Sequence, residues 1–217
     1  MILVQVQVQL WKNLVEQSDM KSIYIYGASG HGLVVADIAK LCGYEKIIFI
    51  DDGKNIYPSF EDIRKNNHIP IAFGIGNNNI RAKLFERVKN NSFNMPILIH
   101  PSSIISPSVK IGEGTVVMPN VVINAKATIG DAVILNTSSI IEHESIVDNF
   151  VHISPNVALA GNVTIRQFSH IGIGSSIIQG KIIGSNCIIG AGSVVVKNIN
   201  NFKKAYGNPC KEIGDVL

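Results

Sequence analysis

The second half of the chain carries an aliphatic repeat with a period of six residues. Every sixth position is isoleucine, leucine or valine: Ile99, Ile105, Ile111, Val117, Ile123, Ile129, Leu135, Ile141, Val147, Ile153, Leu159, Ile165, Ile171, Ile177, Ile183, Ile189 and Val195. This period is too short for a helical repeat and too regular for hairpins, and it is typical of a hexapeptide β-helix. Hexapeptide β-helices are a left-handed exception to the usual right-handed crossover. The repeat therefore predicts a left-handed parallel β-helix with three hexads in each coil.

Two further positions of the hexad follow a pattern. A small or β-branched residue usually comes four positions after the aliphatic, at Thr115, Ala127, Ser139, Ser145, Ser169, Ser175, Cys187 and Ser193, with Lys181 and Ile199 as poor fits. Glycine, asparagine or aspartate often follows the aliphatic directly, as at Gly112, Asn124 and Gly172, and we expect these residues to form sharp corners. The flat sides of a solenoid suit packing against copies of itself.

The first half of the chain alternates short apolar strands with helical patterns. Strands are predicted at IYIY (23–26), KIIFIDD (46–52), PIAFGIG (70–76) and PILIHP (96–101), and helices at 33–44, 61–67 and 77–91. This alternation predicts a small Rossmann-like parallel sheet covered by helices. We therefore divide the chain into a loosely ordered extension (1–20), an α/β domain (21–97) and the β-helix (98–217).

Composition and charge exclude several classes of protein. With 46% hydrophobic but only 6% aromatic residues, isoleucine and valine supply most of the core, which favours strands. The net charge of +3 comes without a basic run, so no nucleic-acid partner is predicted. No apolar run approaches the roughly 20 residues of a transmembrane helix, and residues 1–20 lack the features of a signal peptide. Three widely spaced cysteines without a CxxC motif indicate reduced thiols in a cytoplasmic protein, not structural zinc.

One polar stretch, SSIIEHESIVDNFVH, lies inside the aliphatic repeat. Histidine is the natural base near neutral pH, and a flanking carboxylate can fix its tautomer. His143, between Glu142 and Glu144, is therefore the candidate base, and an exposed polar corner is the alternative. His152 comes nine residues later, half a coil away, so the two histidines should face opposite sides of one subunit. A site that uses both must then lie between subunits.

Two residues are expected to lie close to His152 because of their spacing along the chain. His170 follows it by one full coil and should stack beside it. Asn136 falls in nearly the same column one coil earlier, where it can form a hydrogen bond within the site.

The segment GASGHG (27–32) follows the first predicted strand and begins a helix. It is not the dinucleotide fingerprint, because Ser29 stands where that motif needs its second glycine. A helix N-terminus still attracts phosphate. Asp51 and Asp52 end the next strand, where a carboxylate can meet a nucleoside. A nicotinamide cofactor therefore stays open as an alternative, as does a solvated strand end for the two aspartates.

Several segments together resemble a known family. They are IYIYGASGHGLV (23–34), IDD (50–52), IGNNNIR (75–81), VVINAKATI (121–129), ILNTSSIIEHE (134–144), AGNVTI (160–165) and GNPCK (207–211), where Cys210 replaces the family's alanine. The chain resembles the bacterial sugar acetyltransferases related to sialic acid O-acetyltransferase, and among them the UDP-4-amino-sugar N-acetyltransferases of bacillosamine-type sugar synthesis. This resemblance implies a homotrimer that transfers acetyl from acetyl-CoA to the 4-amino group of a UDP-linked 2-acetamido-4-amino-trideoxy sugar, without a metal.

The resemblance also implies roles for individual residues. It gives the base to His143 and the orienting carboxylate to Glu144. Acetyl-CoA is expected at His152, Gly161, Ile173 and Ala191, with the Gly161 amide as the oxyanion donor. The UDP-sugar is expected at Ser29, Gly30, His31, Asp51, Asp52 and Gly76. Asn136, on account of its place in the repeat, and Glu142 are added to this predicted substrate-binding set. The family has glycine where this chain has Ala191, and a methyl group there is expected to crowd the coenzyme.

Three alternatives stay open at the level of sequence. An O-acetyltransferase acting on sialic acid or another glycan would need the same base. A γ-type carbonic anhydrase would bind zinc through three histidines across a trimer interface, and this chain offers His143, His152 and His170. A nucleotide-sugar sensor without activity would keep the fold, although His143 followed by Glu144 argues against lost catalysis.

Overall fold

The computed structural model describes residues 21–216, which form a small α/β domain followed by a long parallel solenoid. Strands and helices alternate in the first domain as β1 (Ser22–Tyr26), α1 (Gly30–Leu41), β2 (Lys46–Ile50), α2 (Phe60–Ile63), β3 (Ile71–Phe73) and α3 (Asn78–Asn90). The strands are parallel in the order β2-β1-β3, which agrees with the predicted Rossmann-like sheet. The fourth strand predicted in this half, at residues 96–101, instead forms Leu98–Ile99 of the first solenoid coil, because it pairs with Val116 and Val117. The predicted extension at residues 1–20 lies outside the described residues. Between residues 21 and 216, the helices are too short or too polar to cross a bilayer.

Helix α1 begins earlier than the apolar pattern predicted, at Gly30 instead of residue 33. Ser29 precedes it with an extended backbone, and the Leu33 amide already donates to the Ser29 carbonyl. A side chain at Gly32 would collide with the Gly27 carbonyl oxygen. The glycines of GASGHG therefore let the first turn of the helix lie directly against the end of β1.

The solenoid consists of seventeen two-residue strands, and the second residue of each is one of the predicted aliphatics. They are β4 (Leu98–Ile99), β5 (Ile104–Ile105), β6 (Lys110–Ile111), β7 (Val116–Val117), β8 (Val122–Ile123), β9 (Thr128–Ile129), β10 (Ile134–Leu135), β11 (Ile140–Ile141), β12 (Ile146–Val147), β13 (His152–Ile153), β14 (Ala158–Leu159), β15 (Thr164–Ile165), β16 (His170–Ile171), β17 (Ser176–Ile177), β18 (Ile182–Ile183), β19 (Ile188–Ile189) and β20 (Val194–Val195). Every third strand belongs to the same sheet, so the solenoid has three flat sides.

The register of the sheets explains why the repeat must keep its phase. Ile141 pairs with Leu159 and Ile153 pairs with Ile171, one coil of 18 residues further on in both cases. The aliphatics from Val117 to Val195 are buried, whereas Ile99 at the first coil is 37% exposed. A residue inserted within one of the two-residue strands would turn the aliphatic of that strand away from the core, because successive side chains face opposite sides of a strand.

The corners are built differently from the prediction. The left-handed backbone conformation recurs three positions after the aliphatics, at Gly114, Asn120, Lys126, Ala132, Ser138, Glu144, Phe150, Asn156, Asn162, Phe168, Gly174, Gly180, Asn186 and Gly192. The glycines directly after the aliphatics have another purpose, close approach to the next coil. At Gly172, a Cβ atom would lie 2.7 Å from the backbone nitrogen of Ala191.

The small residues four positions after the aliphatics are buried, and several of their hydroxyls connect successive coils, whereas the Ser139 hydroxyl has no partner among the described residues. The Ser145 hydroxyl donates to the Ala160 carbonyl (3.1 Å) and accepts from the Val163 amide (3.2 Å). Ser169 makes the same pair of bonds with Gly184 and Cys187. A polar side chain is tolerated inside the solenoid because both its donor and its acceptor are used.

A C-terminal hairpin, which the hexad pattern does not predict, follows the last coil. Strand β21 (Lys203–Gly207) continues the side of the solenoid that contains β19, and β22 (Cys210–Asp215) pairs with it in antiparallel fashion. The GNPCK segment forms the turn of this hairpin and the start of β22.

Candidate functional site

The predicted base, His143, lies on an exposed corner between β11 and β12. Its Nδ1 is 3.2 Å from Oε2 of Glu144, and the two side chains are 59% and 54% exposed. The corner is held in place by the Glu144 amide, which donates to the Ala125 carbonyl of the preceding coil (2.9 Å). With Glu144 accepting the Nδ1 proton, Nε2 keeps a free lone pair. The pair therefore has the hydrogen bonding of a general base and its orienting carboxylate.

Gly161 lies one coil after His143, directly beside the imidazole ring. A Cβ atom at Gly161 would be 2.5 Å from His143 Nε2 and 2.6 Å from Cε1. The backbone of Gly161 is not left-handed, so glycine is required here by space and not by its dihedral angles. Within the described part of the chain, no acceptor takes the Gly161 N–H. That amide therefore stays available close to the candidate base.

His152 lies elsewhere, on the side of the solenoid that the α/β domain covers. Its ring stacks on His170 with centroids 4.6 Å apart, and Asn136 Nδ2 is 3.3 Å from His152 Nε2. Both contacts confirm the positions expected from the 18-residue coil. The structure adds His31, whose ring centroid lies 6.4 Å from that of His152. The spacing of the repeat could not reveal this contact, because His31 belongs to the other domain.

Burial keeps this group of histidines neutral. It lowers the pKa of His152 to about 3, helped by the nearby His170, Arg81 and His31, while the backbone of Gly76 acts in the opposite direction. Burial and Arg81 likewise lower the pKa of His31 to about 4. Two nitrogens, His31 Nε2 and His152 Nδ1, are shielded from solvent without a hydrogen bond of normal geometry inside residues 21–216. An unpaired buried polar atom is costly, so both nitrogens are suited to bind a polar ligand.

Arg81 holds this region together, and sequence reasoning missed it. Its side chain, only 1% exposed, donates to carbonyl and amide oxygens of both domains: Ile75 (3.0 Å), Gly76 (3.0 Å), Asn78 (2.9 Å), Ala132 (2.7 Å), Phe150 (3.0 Å) and Val151 (3.3 Å). Burial lowers its pKa to about 9. An arginine in an amphipathic helix is ordinarily expected on the solvent-exposed face. The sequence feature that could have identified Arg81 is its place in the segment IGNNNIR.

The predicted nucleotide residues lie at the carboxyl end of the α/β sheet. Ser29 and Gly30 begin α1, and a pocket of about 150 Å³ opens beside them, lined by Tyr26, Gly27, Asp51, Asp52, Gly53, Ile75, Ile80 and Leu84. Asp51 accepts from the Ala28 amide (3.1 Å) and so fixes the glycine turn. Asp51 and Asp52 line one part of the pocket, and Ile75, Ile80 and Leu84 make the other part apolar. This combination suits a polar planar ring.

Asp52 is more than a solvated strand end. Its carboxylate accepts from the Tyr26 hydroxyl (2.6 Å), the Phe60 amide (3.0 Å) and Arg87 (2.6 Å). Burial alone would raise the pKa of Asp52, but these hydrogen bonds and the charge of Arg87 lower it. Asp52 is therefore an ionised and fixed wall of the pocket.

The remaining predicted residues lie on a second corner. Ile173 and Ala191 are exposed and one coil apart, on turns that lead into β17 and β20. Within one chain, the corner with His143 and Gly161 and the corner with Ile173 and Ala191 border the same flat side, which contains β11, β14, β17 and β20. Across residues 21–216 of a single chain, no three histidine, cysteine or carboxylate side chains are grouped to hold a metal ion.

Comparison with known proteins gives consistent matches. Residues 22–88 match the PglD N-terminal domain family. UDP-N-acetylbacillosamine N-acetyltransferase of Bacillus subtilis (strain 168) is 34% identical over 114 residues, which are 46% of this chain and 52% of that protein. The aligned part thus spans about half the length of this curated relative.

Solved structures match over nearly the whole described chain. The acetyltransferase domain of PglB from Neisseria gonorrhoeae FA1090 is 37% identical, covers 89% of this chain and 100% of its own, and has a TM-score of 0.84. The same domain is known in complex with acetyl coenzyme A. PerB from Caulobacter crescentus, in complex with CoA and GDP-perosamine, is 33% identical over 89% of this chain and 97% of its own, with a TM-score of 0.85.

Proposed function

Because the chain belongs to the bacillosamine-type sugar N-acetyltransferases, a family of left-handed β-helix acyltransferases, we propose that it acetylates a nucleotide-linked amino sugar. Acetyl-CoA is the donor, and the acceptor is the 4-amino group of a UDP-linked 2-acetamido-4-amino-2,4,6-trideoxyhexose. The observation that carries this proposal is the His143–Glu144 pair beside Gly161. Glycan hydroxyls remain the second candidate acceptor, since the same base would serve them.

The proposed reaction uses these residues in a fixed order. Nε2 of His143 takes a proton from the sugar amine as its nitrogen attacks the thioester carbonyl. The Glu144 carboxylate stabilises the imidazolium that forms. The free Gly161 amide donates to the developing oxyanion. As the new C–N bond is completed, the C–S bond breaks and the imidazolium returns its proton to the departing thiolate.

A homotrimer is proposed to complete each site. Outward-facing residues of β5, β8, β11, β14 and β20 form an apolar column on one flat side, interrupted at β17 by Ser176: Ile104, Val122, Ile140, Ala158 and Val194. Ile104 is 68% exposed in the single chain. Burial of this face against a second subunit is favourable. It would also bring the His143 corner of one subunit towards the corner of Ile173 and Ala191 on its neighbour.

The pocket at Asp51 and Asp52 supports a nucleotide-linked acceptor. Its carboxylates and apolar wall suit a nucleobase, and the nearby start of α1 suits the diphosphate. His31, at the same end of α1, leads from this pocket towards His152. The nucleotide is thus proposed to anchor the sugar at the α/β domain.

The direct test is thiol release from acetyl-CoA in the presence of a panel of acceptors. We expect turnover with the UDP-linked 4-amino sugar, and at least tenfold lower kcat/KM for the GDP-linked or free amino sugar, because each lost buried contact is worth about a factor of ten. Product mass should rise by one acetyl group. Turnover with sialic acid and none with amino sugars would contradict the proposal in favour of O-acetylation.

Gly161→Ala tests the space beside the base. The added methyl group should displace the His143 ring, since it cannot occupy a position 2.5 Å from Nε2. We expect kcat to fall by about 10- to 100-fold, as for a misplaced catalytic group, with little change in thermal stability. Gly174→Ala is a poor control because Gly174 is left-handed, whereas Gly76→Ala alters a predicted substrate contact. Gly30→Ala also alters a predicted substrate contact. The matched control is therefore Gly214→Ala, because a Cβ atom at Gly214, on β22, would lie in open space. Wild-type kcat in Gly161→Ala would contradict the geometry.

A further inference from the structure

Asn136 and His152 form a hydrogen bond whose direction can be read from the network around it. Oδ1 of Asn136 accepts the Thr137 amide proton (2.9 Å), so the NH₂ group of the side chain faces His152 Nε2 at 3.3 Å. An amide NH₂ can only donate. His152 Nε2 must therefore be the acceptor, and the single proton of the neutral ring must be on Nδ1.

Packing keeps the ring in this orientation. His170 stacks on His152 with an interplanar angle of 16°, and its own Nε2 is fixed by the Ser154 hydroxyl at 2.9 Å. The two pairs, Asn136–His152 and Ser154–His170, have the same separation of 16 residues on successive coils. The ring of His152 thus has a fixed plane and a fixed lone-pair direction.

The two histidines of the proposed site therefore differ in what they offer a ligand. His143 has its Nδ1 towards Glu144 and its Nε2 lone pair free, as a base requires. The Nε2 lone pair of His152 is occupied by Asn136, while its Nδ1 is shielded from solvent and lacks a hydrogen bond of normal geometry within residues 21–216.

We infer that Asn136 is a positioning residue that holds His152 as the neutral Nδ1–H tautomer, so that His152 donates a hydrogen bond to acetyl-CoA and does not act as a second base. The tautomer follows from the hydrogen bonds alone, whereas the role towards acetyl-CoA rests on the proposed function. Asn136 then acts through His152 and not by touching the sugar, which differs from its expected place in the substrate-binding set.

The test is imidazole ¹⁵N NMR of the full chain at neutral pH, with the His152 signals assigned from a His152→Gln variant. In the wild type, Nε2 of His152 should be unprotonated. In Asn136→Asp, the carboxylate can only accept, so Nε2 should become protonated. Asn136→Ala, which adds no charge, should give a mixture of the two tautomers. A protonated Nε2 in the wild type, or an unprotonated Nε2 in Asn136→Asp, would overturn the inference.

Ser154→Ala is the matched control, since it removes the equivalent partner of His170 one coil further on. It should change the His170 signals and leave His152 Nε2 unprotonated. An equal response of His152 would also overturn the inference, because the effect would then come from a general loosening of the column. None of these spectra requires a substrate, so their outcome is separate from the success or failure of the proposed acetyltransferase activity.

Kinetics test the role of the donor. Asn136→Ala, which adds no charge next to His152, should raise KM for acetyl-CoA by up to about tenfold, the loss of at most one hydrogen bond, while the pH profile of kcat stays that of the wild type. A changed pH profile with unchanged KM would mean that His152 acts as a base, and would overturn its assignment as a donor.

Discussion

Replacing His143 with alanine is expected to lower kcat/KM for the amino sugar by a factor of about 10² to 10⁴, the usual contribution of a positioned general base. The loss should appear mainly in kcat, because the imidazole acts on the proton that moves in the transition state. The residue lies on an exposed corner, and within residues 21–216 the polar contact of its side chain is the 3.2 Å one with Glu144. The variant should therefore fold and assemble normally. Thiol release under saturating acetyl-CoA measures the effect.

Two further variants define what the loss means. His68→Ala removes another exposed histidine far from the corner and should keep wild-type kcat/KM. Glu144→Gln keeps the shape of the corner but no longer holds the Nδ1 proton as strongly, so a smaller loss than that of His143→Ala is expected. Wild-type kcat in His143→Ala would remove this residue from the role of base, whatever reaction the protein catalyses.

The solenoid could be predicted closely because its repeat is local and strict. The repeat predicts that each aliphatic from Val117 to Val195 faces the interior of a coil, and all of them are buried there. The prediction that His170 stacks beside His152 followed from the same period of 18 residues. The function of the glycines after the aliphatics was misjudged, since Gly172 serves close coil packing and not a sharp corner, and the hexad pattern did not predict the C-terminal hairpin.

The contacts between the two domains could not be predicted in this way. Neither the period of the solenoid nor the strand–helix alternation says how one domain docks on the other. That docking places His31 near His152 and buries Arg81, a residue whose charge and helical position suggest solvent exposure. The contact between His143 and Glu144 could be expected from their adjacency in the sequence, whereas the environment of His152 depends on residues up to 121 positions away.

Arg81→Met is expected to lower the free energy of unfolding by about 3 kcal/mol or more. Methionine replaces the aliphatic part of the arginine side chain but has no hydrogen-bond donor. The buried carbonyls of Ala132 and Phe150 therefore lose their partner. Each buried acceptor left unpaired costs about 1–3 kcal/mol. Removing the buried cation also removes its desolvation cost, which offsets part of this loss, but the carbonyls stay buried without a partner. For a chain of this length the loss corresponds to a fall in Tm of about 6–12 °C.

Arg87→Met is the matched control because Arg87 lies on the same helix and also forms ion pairs, with Asp52 (2.6 Å) and Glu61 (2.7 Å). Its side chain is 34% exposed, so solvent screens these pairs and the expected loss is at most about 1 kcal/mol. Denaturant unfolding of both variants at one protomer concentration keeps any contribution of assembly constant. Equal stabilities of the two variants would contradict the assignment of Arg81 as the link between the domains.

If Arg81 does link the domains, Arg81→Met should also expose His152 to solvent. Its pKa would then rise from about 3 towards the ordinary value for histidine, since burial is the main cause of its depression.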